Sequence, residues 1–210
     1  MRFADADAVT VDGFGTLVEL VDPVPALGEL LRRHDVEPEE AVVRDAFAAE
    51  ARYYRAHAMA GRDATSLAEL RRRCADVFLA AAAVNLDAAA FAPEFVAALR
   101  FRVLPGVGAA LRGLRARGLE LAVVSNWDIS LHQRIDEVGL RPSFTTVVTS
   151  AEAGAEKPDP RIFRLALDRL GAAADRVVHV GDDDADAEGA AGAGLRFERA
   201  PLAEAVRRWR

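Results

Sequence analysis

Apolar residues along this chain fall into two kinds of pattern, and the change between them divides it. Short β-branched or leucine-rich runs, closed by glycine, serine or acidic residues, predict buried strands at residues 9–11, 119–124, 147–148, 177–180 and 195–197. Between the first run and about Arg102 the spacing is helical. Residues 25–34 carry Leu27, Leu30 and Leu31 on one face. Pro38 opens a second helix with Glu39 and Glu40 in its first turn, and Gly61 stops it after Val42, Val43, Phe47 and Tyr54. A third helix runs from Thr65 or Ser66 to Val84, with Leu67, Leu70, Cys74, Val77 and Phe78 as its stripe. Asn85 and Asp87 break it, and residues 88–99 predict a fourth. No strand pattern interrupts this block, and four helices of this size pack as a small domain.

Leu104-Pro105-Gly106 punctuates the chain. After it, helices predicted at residues 107–117, 131–138, 159–170 and 186–193 alternate with the strands. Such alternation predicts an α/β fold, a Rossmann-like doubly wound parallel sheet with helices on both faces. The expected organisation is an α/β core from residues 1–18 plus 103–210, with an all-helical domain of residues 19–102 inserted after the first strand. There is no internal repeat and no low-complexity linker.

Composition narrows the class. Hydrophobic residues make up 51% of the 210, enough for a core and too many for disorder. The net charge of −6 gives no general support to binding of nucleic acid or an anionic membrane. Cys74 is the single cysteine, which excludes an intramolecular disulfide or a cysteine-based metal site and fits a reducing compartment. Met1-Arg2-Phe3-Ala4-Asp5 lacks a signal-peptide pattern, and no apolar run is long enough to span a bilayer. The expectation is a cytoplasmic protein, monomer or homodimer, without nucleic acid or membrane partners. Among 27 Lys plus Arg residues only Lys157 is lysine. A compact point charge is needed where a broad guanidinium will not fit.

The candidate chemistry lies at strand ends. Asp12 closes the first strand and is followed by Gly13, Phe14, Gly15 and Thr16; glycines let the backbone turn tightly and approach a ligand. Ser125-Asn126 closes the second core strand, with Trp127 and Asp128 next, and Gly181-Asp182-Asp183-Asp184 closes another, with Asp186 following. Strands of a parallel sheet end on one edge, where open α/β sheets place their ligands. Lys157, before the helix at 159–170, can reach the same edge. Several carboxylates at one point repel unless a cation neutralises them, and oxygen-only ligands favour Mg²⁺. A carboxylate there can act as nucleophile or metal ligand, with Ser125, Lys157 and the amides near residues 13–15 holding phosphoryl oxygens.

Asp12-x-x-x-Thr16, Ser125-Asn126, Lys157-Pro158 and Gly181-Asp182-Asp183, in that order, resemble the haloacid dehalogenase-like hydrolase superfamily. The resemblance implies that the helical insert is a C1 cap, that Asp12 is the nucleophile, and that Thr16, Ser125, Asn126 and Lys157 complete the catalytic set. It implies Mg²⁺ held by Asp12, the Phe14 carbonyl and Asp182, with Asp183 or Asp186 beside them. Gly13, Phe14, Gly15 and Trp127 are the expected substrate-binding residues. Arg52, Tyr53, Tyr54, Arg55, His57 and Arg62 of the helical insert are weighed as selectors, and packing or solvation is the expectation favoured for them. His132 and His179 have no partner that the sequence names, and His179 is expected to be structural.

Two departures from the family pattern limit what it implies. Its phosphatases usually carry a second Asp two residues after the nucleophile, as acid for the leaving oxygen; here that residue is Phe14. Loss of such an acid costs ~10²–10⁴-fold in rate when the leaving group needs a proton. The acidic motif is also one residue short, leaving Asp184 and Asp186 as alternatives for its last acid. The leading expectation is a Mg²⁺-dependent phosphohydrolase acting on a small phosphorylated metabolite through an aspartyl phosphate. The alternatives are a 2-haloacid dehalogenase, whose halide leaves without a proton, acting on a halogenated substrate, and a weakly catalytic binding or regulatory module.

Overall fold

The computed structural model describes residues 5–208, so Met1–Ala4, on which part of the leader-peptide expectation rests, lie outside the described residues. The chain divides into two compact units, one formed up to Glu19 and again from Arg102, the other by Leu20–Phe101.

The first unit is built on a five-stranded parallel sheet. Its strands are β1 (Ala8–Val11), β4 (Glu120–Ser125), β5 (Thr146–Thr149), β6 (Val177–Gly181) and β7 (Arg196–Arg199), in the order β5-β4-β1-β6-β7. β1 is central and buried along its length, as expected of a strand covered on both faces. Val11 lies level with Val123 of β4 and Val180 of β6. Asp12, Ser125 and Asp182 therefore leave the sheet on one edge. Around the sheet run α5 (Val107–Arg115), α6 (Leu131–Glu137), α7 (Ser150–Ala153), α8 (Arg161–Leu170), α9 (Asp184–Gly192) and α10 (Leu202–Arg208). α8 buries Ile162, Phe163, Ala166 and Leu167, a helical stripe that packs with Val124, Val148 and Val177. This is the parallel α/β architecture that the sequence predicts.

The second unit holds α1 (Val24–Arg33), α2 (Glu40–His57), α3 (Ala64–Ala81) and α4 (Ala88–Ala98). Leu27, Leu30, Leu31, Val43, Ala46, Phe78, Phe91 and Phe95 form its core. The Phe78 and Phe95 rings lie 5.0 Å apart, within the range of favourable aromatic pairs. Asp63 caps α3 in a reciprocal box with Ser66, and Asp87 caps α4 through the Ala89 amide. Tyr53 stacks on His57 at 4.1 Å, so both side chains are committed to each other.

Three features differ from the sequence expectation. Short strands β2 (Val18–Leu20) and β3 (Phe101–Val103) pair as a two-stranded sheet where the chain leaves the first unit and returns, although the pattern predicts no strand there. The four-residue α7 and the terminal α10 are also additional. Among the described residues no helix is long and apolar enough to cross a membrane.

Candidate active site

Asp12 stands one residue past β1, its amide donating to the Val180 carbonyl at 2.9 Å. The loop after it is folded tightly: Leu17 and Val18 both donate to the Gly13 carbonyl. Its two glycines serve different needs. A Cβ at Gly13 would lie 2.9 Å from the Ser125 hydroxyl, and one at Gly15 would lie 2.3 Å from Asp182 Oδ2. Gly15 also has φ +85°, a conformation that side chains disfavour.

Two donors converge on Asp12 Oδ1: Ser125 Oγ at 3.0 Å and Lys157 Nζ at 2.5 Å. Lys157 makes a second charged bond to Asp186 Oδ1 at 2.6 Å, and all three side chains are buried. Asn126 secures the lysine from behind. Its Nδ2 donates to the Lys157 carbonyl at 3.0 Å and its Oδ1 accepts from the Lys157 amide at 2.7 Å. Asn126, expected among the catalytic residues, thus has both polar atoms on the Lys157 backbone. Thr16 donates to Asp182 Oδ1 at 3.4 Å, a long contact from a fully buried hydroxyl.

The acidic segment resolves into distinct tasks. One oxygen from each of Asp12, Asp182 and Asp186 lies within 4.8 Å of the others, an arrangement suited to a cation. Asp183 is not in this group. Its side chain accepts from the Asp186 amide at 2.8 Å and caps α9, a task other than the metal ligation expected of it. Asp184 pairs with Arg199 at 2.8 Å. Of the two alternatives for the last acid, Asp186 is the one that lies with Asp12 and Asp182.

Asp186 itself is saturated. Its Oδ1 accepts from Lys157 and, at 2.8 Å, from His179 Nε2. Its Oδ2 accepts from the amides of Asp182 and Asp183 at 3.1 and 3.3 Å. A carboxylate has about four acceptor sites, and four donors occupy those of Asp186. Asp12 and Asp182 are the carboxylates with capacity remaining. Asp186 also explains Gly181, where a Cβ would sit 2.2 Å from Asp186 Cγ.

Burial pushes Asp12 above its ordinary pKa, with Lys157 pulling against it. Asp182 is also raised, by desolvation and by the negative charges of Asp186 and Asp183. Burial works against the charge on Asp186, but the His179 hydrogen bond and the Lys157 ammonium outweigh it and hold the carboxyl well below its usual range. Burial likewise disfavours charged Lys157, yet Asp12 and Asp186 keep it protonated with a raised pKa. Fully ionised, three carboxylates against one ammonium would leave a formal excess of two negative charges, which a divalent cation would match.

Phe14 is half exposed, and its ring lies 6.3 Å from that of Trp127, whose side chain is buried. Asp128 accepts from the Ser130 amide at 2.7 Å and so shapes the turn into α6. His132 pairs with Glu152 at 3.1 Å, away from these groups.

The sequence reading missed His179 as a partner of this site. It is fully buried in β6, its Nδ1 is 2.9 Å from Thr10 Oγ1, and Thr10 is its cross-strand partner in register. A histidine among the three valines of a buried strand, two residues before Gly181, was the available signal.

Residues 6–194 match the family model described as haloacid dehalogenase-like hydrolase. Haloacid dehalogenase-like hydrolase domain-containing protein 3 of Bos taurus is 44% identical over 117 residues, covering 52% of this chain and 47% of the relative. Phosphoserine phosphatase of Thermus thermophilus is 39% identical over 99 residues, covering 46% of this chain and 40% of the relative. The chain thus spans less than half the length of these curated relatives. The structure of L-2-haloacid dehalogenase from Xanthobacter autotrophicus superposes with TM-score 0.65 at 24% identity, covering 93% of this chain and 77% of that one, a likeness of fold alone. With the match running through nearly the whole chain, this protein belongs to the haloacid dehalogenase-like hydrolases.

Proposed function

We propose that this hydrolase is a Mg²⁺-dependent phosphohydrolase that works through a phosphorylated Asp12. The observation that carries the reading is the convergence of three carboxyl groups, Asp12, Asp182 and Asp186, around the single ammonium of Lys157. Asp12 and Asp182 would hold the ion, with the Phe14 carbonyl as the further ligand that the family pattern implies. When bound, Mg²⁺ offsets the carboxylates and takes up charge on the phosphoryl oxygens.

Asp12 attacks phosphorus, the bond to the leaving oxygen breaks, and its electron pair departs with that oxygen. Ser125 and Lys157 hold the aspartate and share the charge of the transferred group. Water then attacks the phosphorus of the aspartyl phosphate, releasing phosphate and restoring the Asp12 carboxylate. Phe14 has no proton to give, so the leaving group departs as an anion. Substrates with stable leaving groups, acyl or aryl phosphates, are favoured over alkyl esters. Matches to phosphoserine phosphatase and to glyceraldehyde 3-phosphate phosphatase of Methanothermobacter thermautotrophicus support phosphoryl chemistry.

Phe14 favours a second reading, dehalogenation, because halide needs no acid. Asp182, a carboxylate with open acceptor sites beside the nucleophile, argues against it, since its charge would repel a carboxylate substrate. Hydrolysis of acetyl phosphate and p-nitrophenyl phosphate with and without Mg²⁺ decides between them. Phosphate release that requires Mg²⁺ is expected. Metal-independent chloride release from 2-chloropropionate, without phosphate release from either phosphoryl compound, would replace this reading with the second.

A further inference from the structure

We propose that His179 is a positioning residue that holds the Lys157 ammonium against Asp12, acting through Asp186. This rests on the reading of Asp12 as nucleophile. A buried imidazole in a strand of valines is costly unless both ring nitrogens are bonded. Both are. A carboxylate can only accept, so Nε2 carries the hydrogen that goes to Asp186, and Nδ1 accepts from the Thr10 hydroxyl. The Phe163 ring meets the imidazole edge-on at 4.8 Å. The orientation and the tautomer are therefore both fixed, by an adjacent strand and by a packed helix.

The consequence passes along a line of charged hydrogen bonds. His179 and Lys157 share Asp186 Oδ1, while two backbone amides hold Oδ2. Lysine has a flexible stem and a point charge, so its own geometry does not place it. Asn126 fixes the backbone of Lys157, and a flexible side chain separates that backbone from the ammonium. The ammonium is placed by its two carboxylates, and of these Asp186 is the one tied to the sheet interior. Without the His179 donor, Asp186 can turn about its side-chain bond and carry Nζ with it, away from Asp12. An apolar residue at position 179 would fill the same space and leave that motion open.

The single lysine makes the test direct, because nitrogen-15 lysine labelling gives one side-chain ammonium signal. In the wild type this signal is expected to be sharp and slow to exchange with water. In His179→Leu it should move and exchange at least ~10-fold faster, and kcat should fall ~10–100-fold with KM little changed, as for partners that orient a reacting residue from behind. His179→Gln, whose amide nitrogen can stand where Nε2 stands, should recover most of both properties. His179→Asn, too short to reach Asp186, should resemble the leucine variant, and it serves if His179→Leu fails to fold. A leucine or asparagine variant that melts earlier but keeps the ammonium signal and kcat would overturn the proposal. Absence of phosphatase activity in the wild type would count against the phosphohydrolase reading instead, and the ammonium signal would still decide the role of His179.

Discussion

Glu50 in the helical unit and Asp186 in the α/β unit are both buried carboxyl groups, at 5% and 1% exposure, and their surroundings drive them in opposite directions. Glu50 occupies the inward stripe of α2, after Val43 and Ala46, and its hydrogen-bonding help is the Cys74 thiol. Burial pushes it up from the usual 4.5 to about 7. Asp186 meets the same desolvation but receives four donors, one of them an ammonium, and stays ionised. Burial alone favours the neutral acid, and only a complete set of donors keeps a charge inside a protein. The α/β unit assembles that set at a strand edge where charge can do chemistry. The helical unit, whose core is phenylalanine and leucine, does not.

The contrast can be broken at Lys157. Lys157→Met removes the cation from two buried carboxylates and should destabilise the protein by about 3–5 kcal/mol, measured by urea denaturation at neutral pH. A loss under 1 kcal/mol would mean that Asp12 and Asp186 do not depend on it. Glu50 offers the opposite change. Its pKa is raised in the folded state, so the stability it contributes is complete below 4.5 and is lost as pH rises toward 7. The displacement amounts to ~3 kcal/mol. Thermal melts of Glu50→Gln should therefore show a flatter dependence between pH 4.5 and 7 than the wild type, and equal slopes would remove the burial argument.

Phe14→Asp sharpens the comparison from the chemical side, by supplying the missing acid. Hydrolysis of alkyl phosphates should rise by ~10²-fold, toward the lower end of general-acid effects, while acyl phosphates change little. An unchanged alkyl rate would place the limitation in the shortened acidic segment. The smallest effect is expected at Asp183. Asp183→Ala should cost ~1 kcal/mol of stability through loss of the α9 cap. Titration calorimetry should find its Mg²⁺ affinity unaltered, and a large loss of affinity would return Asp183 to the metal site.

Strands β1, β4, β5 and β6 were legible because each is a short apolar run with a punctuating residue at its end, and such signals are local. The order of polar groups at strand ends was legible for the same reason, which is why Asp12, Ser125 and Asp182 could be named from the sequence, while Lys157 was marked by being the single lysine. Three-residue strands such as β2 and β3 are too short to show a period. His179 was hidden by distance: Thr10 lies 169 residues away, and the two meet only through the register of β1 and β6. Asp183 and Asp186 could not be told apart by composition, since one carboxylate caps a helix and the other is enclosed by donors brought from three parts of the chain.

The central claim is that Asp12 becomes phosphorylated. The most direct measurement is mass spectrometry of protein quenched in acid shortly after mixing with acetyl phosphate and Mg²⁺, followed by peptide mapping. The account predicts one phosphoryl group on the peptide carrying Asp12, present only with Mg²⁺ and absent in Asp12→Asn. Mg²⁺-dependent phosphate release with no adduct at any time, or an adduct that persists in Asp12→Asn, would contradict it.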